Sequence, residues 1–274
     1  MKVKDFAKTG RKVSEIGMGT YYDPAWIATG FVGWRRGATS KVEAIKAGLD
    51  AGITLIDTAE IYRSEPLVAE AIAGRKRDEI FLATKAWQNH LHGASLTRAF
   101  EKSLARLGTS YIDLYQVHWP NPRVPIAETM GAMERLIEEG KLRHVGVSNF
   151  DLEQVKEAQY ALPKSELSSV QLDYSLMHRN PEGEMLPYCD SQKIAFLAYY
   201  PLGHGKLLSD PRLDHVGSAN GRTRAQTALQ WLAGKPNVFP IPRASRAEHV
   251  KDNAGAGDCE LTEAERTELG TRFH

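Results

Sequence analysis

The stretch IFLATKAW at 80–87, followed by SLTRAFEKSLARLG at 95–108 and IDLYQVHW at 112–119, decides how the whole chain reads. Two short runs rich in β-branched and aromatic residues flank an amphipathic segment of helical period, the pattern of a strand, a helix and a parallel strand. The same alternation extends outward. Upstream lie SEIGMGT (14–20) with SKVEAIKAGLDAG (40–52), and TLIDTA (54–59) with SEPLVAEAIAG (64–74). Downstream, PIAETMGAMERLIEEG (125–140) completes the unit begun at 112. HVGVSN (144–149), SVQLDYS (169–175), IAFLAYYPL (194–202) and NVFPIPRAS (237–245) follow, each with its own helical stretch. Eight such units predict a (β/α)8 TIM barrel, in which functional groups gather at the C-terminal ends of the strands.

Local signals agree. Ser40 with Glu43 and Asp151 with Gln154 are expected helix starts, and Gly52, Gly74, Gly108 and Gly140 expected helix ends. KVKDFAKTGRKV (2–13) reads as an N-terminal β-hairpin that could plug the barrel, and Thr262 with Glu265 starts an extra C-terminal helix. An open doubly wound sheet lacks its nucleotide fingerprint here, because Gly17-Met18-Gly19 runs into Thr20, Tyr21 and Tyr22 without a third glycine.

The 274 residues, 42% hydrophobic and 25% charged, suit one barrel domain over residues 1–274. A net charge of +1 with interspersed signs offers no field for a nucleic acid or an anionic membrane. The opening MKVKDFAKTG has no signal-type apolar stretch and no run suits a membrane span, so a cytosolic protein, expected to be a monomer, is indicated. Cys189 and Cys259 lie far apart without metal-ligand spacing, so neither a metal site nor a disulfide framework is expected.

Three of the strand-like runs carry a polar residue near their downstream end: Asp57, Lys85 and His118, with Tyr62 just beyond the first. Strand alternation puts Asp57 on the face of Leu55, Lys85 on that of Phe81 and Ala83, and His118 on that of Leu114 and Gln116. Buried charges are costly unless paired, so their convergence at one rim points to a site. Singly each has a structural reading: a turn acceptor, a half-buried aromatic, a snorkelling lysine, a core histidine. Jointly they suit the carbonyl reduction that a family resemblance, carried by the motifs quoted next, implies. An alkoxide forming beside a hydride donor needs a proton or hydrogen bond, a tyrosine can give it, and a nearby lysine, held by a carboxylate, makes the phenolate easier to form. A neutral histidine would orient the carbonyl.

The ordered set GMGTY, IDTAEIY, ATKAW, QVHWP, GVSNF, VQLDYSLMHR, AYYPLGHGKL and IPRASRAEHVKDN resembles the aldo-keto reductases across nearly the whole chain. The resemblance implies a TIM-barrel enzyme that reduces aldehydes or ketones with NADPH, using Asp57, Tyr62, Lys85 and His118. It implies Ser148, Asn149 and Gln171 at the nicotinamide carboxamide and Tyr199 stacked on the ring. Gly203 and Gly205 would sit in a loop near the pyrophosphate, and Gly19, Thr20, Tyr21, Pro201 and Leu202 would complete the cofactor contacts. Arg243, Ser245, Arg246 and Asn253 would surround the adenosine end, where guanidiniums suit a 2′-phosphate and favour NADPH over NADH. The chain departs from the family pattern at Tyr200, a frequent serine, and at Arg243, Ala244 and His249, frequent lysine, serine and arginine.

Tyr21, Trp26, Trp87 and Trp119 are expected to wall an apolar substrate pocket. The long connection 22–39, with Trp26, Phe31 and Trp34, is expected to act as its lid. Two rival readings are a non-catalytic NADPH-sensing regulatory subunit and a cofactor-free phosphosugar isomerase or lyase on the same barrel. The complete quartet weighs against the first, and the joint presence of Tyr199, Gln171 and the arginines against the second.

Overall fold

The computed structural model describes residues 1–31, 37–217 and 221–274. Two short strands, β1 (Val3–Asp5) and β2 (Lys12–Ser14), pair antiparallel as the expected hairpin. Eight parallel strands follow: β3 (Met18–Gly19), β4 (Leu55–Asp57), β5 (Phe81–Ala86), β6 (Ile112–Val117), β7 (Leu142–Ser148), β8 (Leu167–Asp173), β9 (Ala195–Tyr199) and β10 (Val238–Pro240). They neighbour one another in chain order, and the ring closes where Gly17 N–H donates to Pro240 O at 2.9 Å and Gly19 N–H to Pro242 O at 3.1 Å. Closure explains the glycine at 19, because a Cβ there would lie 2.9 Å from Ile241 O.

Short helix α1 (Pro24–Phe31) precedes α2 (Ala38–Asp50). The barrel helices continue as α3 (Glu65–Ile72), α4 (Gly93–Leu107), α5 (Ile126–Glu138), α6 (Leu152–Tyr160) and α7 (Met185–Gln192). One-turn α8 (Asp214–Gly217), α9 (Arg224–Ala233), α10 (Ala247–Gly255) and the added α11 (Glu263–Arg272) complete the chain. Capping boxes at Asp151/Gln154 and Thr262/Glu265 start α6 and α11 as the sequence indicated, and Thr223/Gln226 does the same for α9. Ser40 does not cap α2: the helix begins earlier, after Gly37, and the Ser40 hydroxyl donates back to Gly37 O at 2.9 Å. Gly52, Gly74, Gly108 and Gly140 all take positive φ at helix ends, where a Cβ would be strained. Among the described residues no helix is long and apolar enough to cross a membrane.

The barrel interior is the inward face that alternation foretold: Leu55, Phe81, Ala83, Leu114, Leu197 and Phe239 pack with Phe6 and Val13 of the hairpin. Phe6 lies between Phe81 and Phe239, with centroids at 4.5 and 5.2 Å, so the hairpin closes the N-terminal end. Lys4 locks it there, donating to Ala233 O at 2.8 Å and Val238 O at 2.6 Å. The hairpin side chains thus fill the barrel mouth at that end with hydrocarbon.

His144 on β7 stacks on Phe81 at this closed end, with centroids 6.1 Å apart. Burial lowers its imidazole from 6.5 to about 4; Asp113 pulls the other way, while Arg11 and Arg143 add to the lowering. Because the folded pKa lies below the unfolded one, the stability is full above about pH 6.5 and is lost as pH falls toward 4. The loss should reach about 2–3 kcal/mol. Urea unfolding at pH 7 and pH 4.5 should show that part of the loss in the wild type and not in His144→Gln; equal losses in both would remove His144 as the cause.

Candidate active site

At the open end the strands deliver the polar residues to one place. Lys85 is fully buried and donates to Asp57 Oδ2 at 2.6 Å and to Thr58 O at 2.9 Å. The other Asp57 oxygen accepts from Gln171 Nε2 at 3.0 Å and Gln116 Nε2 at 3.4 Å, so β4, β5, β6 and β8 meet in one network. Burial pulls the Lys85 ammonium below its ordinary value, and the charge and hydrogen bond of Asp57 oppose that pull. Behind the pair, the Ser64 hydroxyl contacts those of Thr20 at 3.0 Å and Thr58 at 3.1 Å, and Thr20 N–H donates to Asp57 O at 2.9 Å. Thr20 therefore braces the loop and does not line the cavity.

Tyr62 ends a one-turn 3-10 segment, Glu60–Tyr62, that follows β4. Its hydroxyl lies 3.2 Å from His118 Nε2, and Lys85 Nζ lies 5.0 Å from its ring centroid. The lysine thus reaches the phenol as a charge beside the ring, with its hydrogen bonds directed to Asp57 and Thr58. Burial, then Asp57 and the neighbouring tyrosines, push the Tyr62 phenol well above its ordinary value. It is protonated at neutral pH. Burial, then Lys85, hold His118 well below the usual imidazole range, so that ring is neutral.

A neutral imidazole carries one N–H, and here its position can be argued. Among the described residues His118 Nδ1 is buried without a hydrogen-bond partner. A proton there would be a buried donor with nothing to receive it, whereas on Nε2 it faces Tyr62 and the cavity. The N–H therefore sits on Nε2. Trp87 meets the other side of the ring edge to face, with centroids 5.3 Å apart.

The quartet lies in or beneath a cavity of about 870 Å³. Its wall brings together Tyr62, His118, Trp87, Trp119 and Tyr21, then Ser148, Asn149, Gln171 and Tyr199, and finally Gly205, Arg243, Ser245 and Asn253. Gly19, Pro201 and Leu202 also touch it. Asn149, held at φ 62, donates to His118 O at 2.8 Å and to Ser148 Oγ at 3.1 Å, and accepts from Tyr199 Oη at 2.8 Å. Gly205 has φ +87 with open space where a Cβ would lie, whereas Gly203 packs against Met177 and Leu207 outside the cavity.

Some expected residues are elsewhere. Trp26, on α1, is 5% exposed in the core; its indole N–H donates to Tyr62 O at 3.1 Å and Lys41 lies 4.5 Å from its ring. It supports the Tyr62 turn from behind and forms no part of the cavity wall. Helix formation explains this: with 24–31 helical, Trp26 turns inward and Tyr22, Asp23, Pro24 and Ile27 face the cavity. Trp34 falls outside the described residues, so the middle of the expected lid does too. Arg246 is exposed beside Glu248 at 3.5 Å and does not line the cavity.

The cavity also uses residues that the sequence reading passed over: Ile61, His204, Leu208 and Asp252. His204 lies between the two loop glycines, its ring tilted at 33° to that of Tyr200 with centroids 3.8 Å apart. His249 and Tyr200, noted only as departures, line the wall as well. Among the described residues no His, Cys, Asp and Glu cluster could hold a metal ion.

A dinucleotide fits this wall chemically. Amide and hydroxyl groups suited to a carboxamide, an open glycine loop and a guanidinium with a hydroxyl line the same cavity as the quartet. Comparison with known proteins agrees with the geometry. The sequence model of the aldo/keto reductase family matches residues 15–270. Methylglyoxal reductase YeaE of Escherichia coli is 36% identical over 85% of this chain and 84% of that protein. The glyoxal reductase of Bacillus subtilis is 32% identical over 83% and 81%. The crystal structure of an aldo/keto reductase from Klebsiella pneumoniae in complex with NADP and acetate superposes with a TM-score of 0.86 and 35% identity, covering 100% of this chain and 96% of that one.

Proposed function

This chain belongs to the aldo/keto reductase family, and we propose that it reduces small neutral aldehydes and ketones with NADPH, Tyr62 giving the proton and His118 holding the carbonyl oxygen. The observation that carries this reading is the convergence of a protonated Tyr62 hydroxyl and a neutral His118, 3.2 Å apart, over a buried Lys85–Asp57 pair. When bound, NADPH supplies the hydride that becomes the new C–H bond. Ser148, Asn149 and Gln171 would hold its carboxamide, and Arg243 with Ser245 its 2′-phosphate.

The His118 Nε2–H donates to the substrate oxygen and fixes the carbonyl against the walls formed by Tyr21, Trp87 and Trp119. As negative charge grows on that oxygen, the Tyr62 O–H transfers its proton to it. The phenolate left on Tyr62 is stabilised by the Lys85 charge, and Asp57 keeps that charge in place. The aromatic walls and Ile61 carry no charge, which favours α-oxoaldehydes and aromatic aldehydes over oxo acids. Relatives named for methylglyoxal and glyoxal support the same class.

Absorbance at the nicotinamide band, followed with methylglyoxal, benzaldehyde and pyruvate, tests the reading. The two neutral aldehydes should be reduced at least tenfold more efficiently than pyruvate. Arg243→Ala should raise the KM for NADPH by about tenfold or more, the scale of a charged hydrogen bond, and change NADH far less. Absence of NADPH oxidation with every carbonyl would overturn the function; equal damage with both cofactors would make Arg243 a loop support.

A further inference from the structure

The Tyr62 turn is tied to the facing wall by a side chain outside the quartet. Glu60 opens that turn, and its Oε1 accepts the backbone N–H of Trp87, at the end of β5, and the Nδ1–H of His90 at 2.9 Å. The Glu60 side chain is 10% exposed against 47% for His90, so the carboxylate is turned in under the loop. On the other flank Asn121 Nδ2 donates to Gln88 O at 2.9 Å. The segment from Trp87 to His90 is thus held from both sides, by the loop after β4 and the loop after β6.

We propose that Glu60 is a positioning residue that fixes the gap between the Tyr62 hydroxyl and the Trp87 indole, and so sets the size of aldehyde the site accepts. The proposal rests on the reductase reading of the site. Among the described residues the Trp87 indole leans edge-on against His118 without a side-chain hydrogen bond, and its backbone is where Glu60 holds it. One carboxylate therefore spaces the proton donor and the substrate wall together. A small dicarbonyl needs only the Tyr62 and His118 contacts, whereas an aromatic aldehyde must also fit against Trp87. Loss of the anchor should fall mainly on the second.

The test uses the full chain with NADPH, comparing wild type, Glu60→Gln, Glu60→Ala, Trp87→Ala and the double variant Glu60→Ala/Trp87→Ala. The ratio of KM for benzaldehyde to KM for methylglyoxal should rise by about tenfold in Glu60→Ala, comparable to losing a hydrogen bond to a charged acceptor. Glu60→Gln, which keeps an acceptor for the Trp87 N–H, should recover most of that change. In the Trp87→Ala background, Glu60→Ala should add little to the ratio, because both act through one wall. A ratio unmoved by Glu60→Ala, or effects that add in full with Trp87→Ala, would overturn the proposal. Should the wild type oxidise NADPH with neither aldehyde, the reductase reading falls by itself. Aldehyde binding by the same variants, read from tryptophan fluorescence, then still decides the role of Glu60 by the same ratio.

Discussion

Replacing Tyr62 by phenylalanine is expected to lower kcat for carbonyl reduction by about 10²- to 10⁴-fold, the contribution of a well-placed general acid. The ring keeps its packing on Tyr21, 5.2 Å away, and on His118, 5.3 Å away, so only the transferable proton is removed. NADPH affinity should stay near the wild-type value, because the hydroxyl contacts His118 and not the residues proposed to hold the carboxamide and the 2′-phosphate. Single-turnover kinetics and fluorescence titration separate the two quantities. Near-native turnover would move proton donation to His118 Nε2–H.

Lys85→Met should cost both activity and stability. Asp57 would be left buried with its Gln171 and Gln116 donors but without a countercharge. Breaking such a pair costs about 3–5 kcal/mol of folding stability, which urea unfolding can measure. Asp57→Asn in the same chain removes the stranded charge and should recover much of the stability. Turnover should not return, since the phenolate formed at Tyr62 would still lack its cation. Recovery of turnover in the double variant would reduce the pair to a structural role.

Much of this was legible in the residues because strand alternation is strict. Asp57, Lys85 and Gln116 had to share the face of Leu55, Phe81 and Leu114, and that face fills the barrel interior. The hairpin plug and the Asp151 and Thr262 helix starts were readable from local chemistry alone. What escaped was set by tertiary contacts. Trp26 lies in a connection whose short helix turns it toward Lys41 and the back of Tyr62, and no periodicity over so few residues could announce that. Ser40 carries a cap signature that Gly37 pre-empts, one turn earlier. Gly19 touches the cavity as the family motif implied, but the need for a glycine there, set by the Ile241 carbonyl across the barrel closure, could not be read from the sequence. Glu60 shows nothing in the sequence beyond its place in IDTAEIY; its partners lie on the next loop.

The most direct test of hydride transfer through this site is to supply NADPH deuterated at the transferable position together with methylglyoxal and to weigh the alcohol product. The wild type should place one deuterium on the former carbonyl carbon at the rate NADPH is consumed, and Tyr62→Phe should bind the cofactor while forming almost no labelled alcohol. Conversion of the substrate without label, or without NADPH, would contradict the account and point to cofactor-free chemistry in the same barrel.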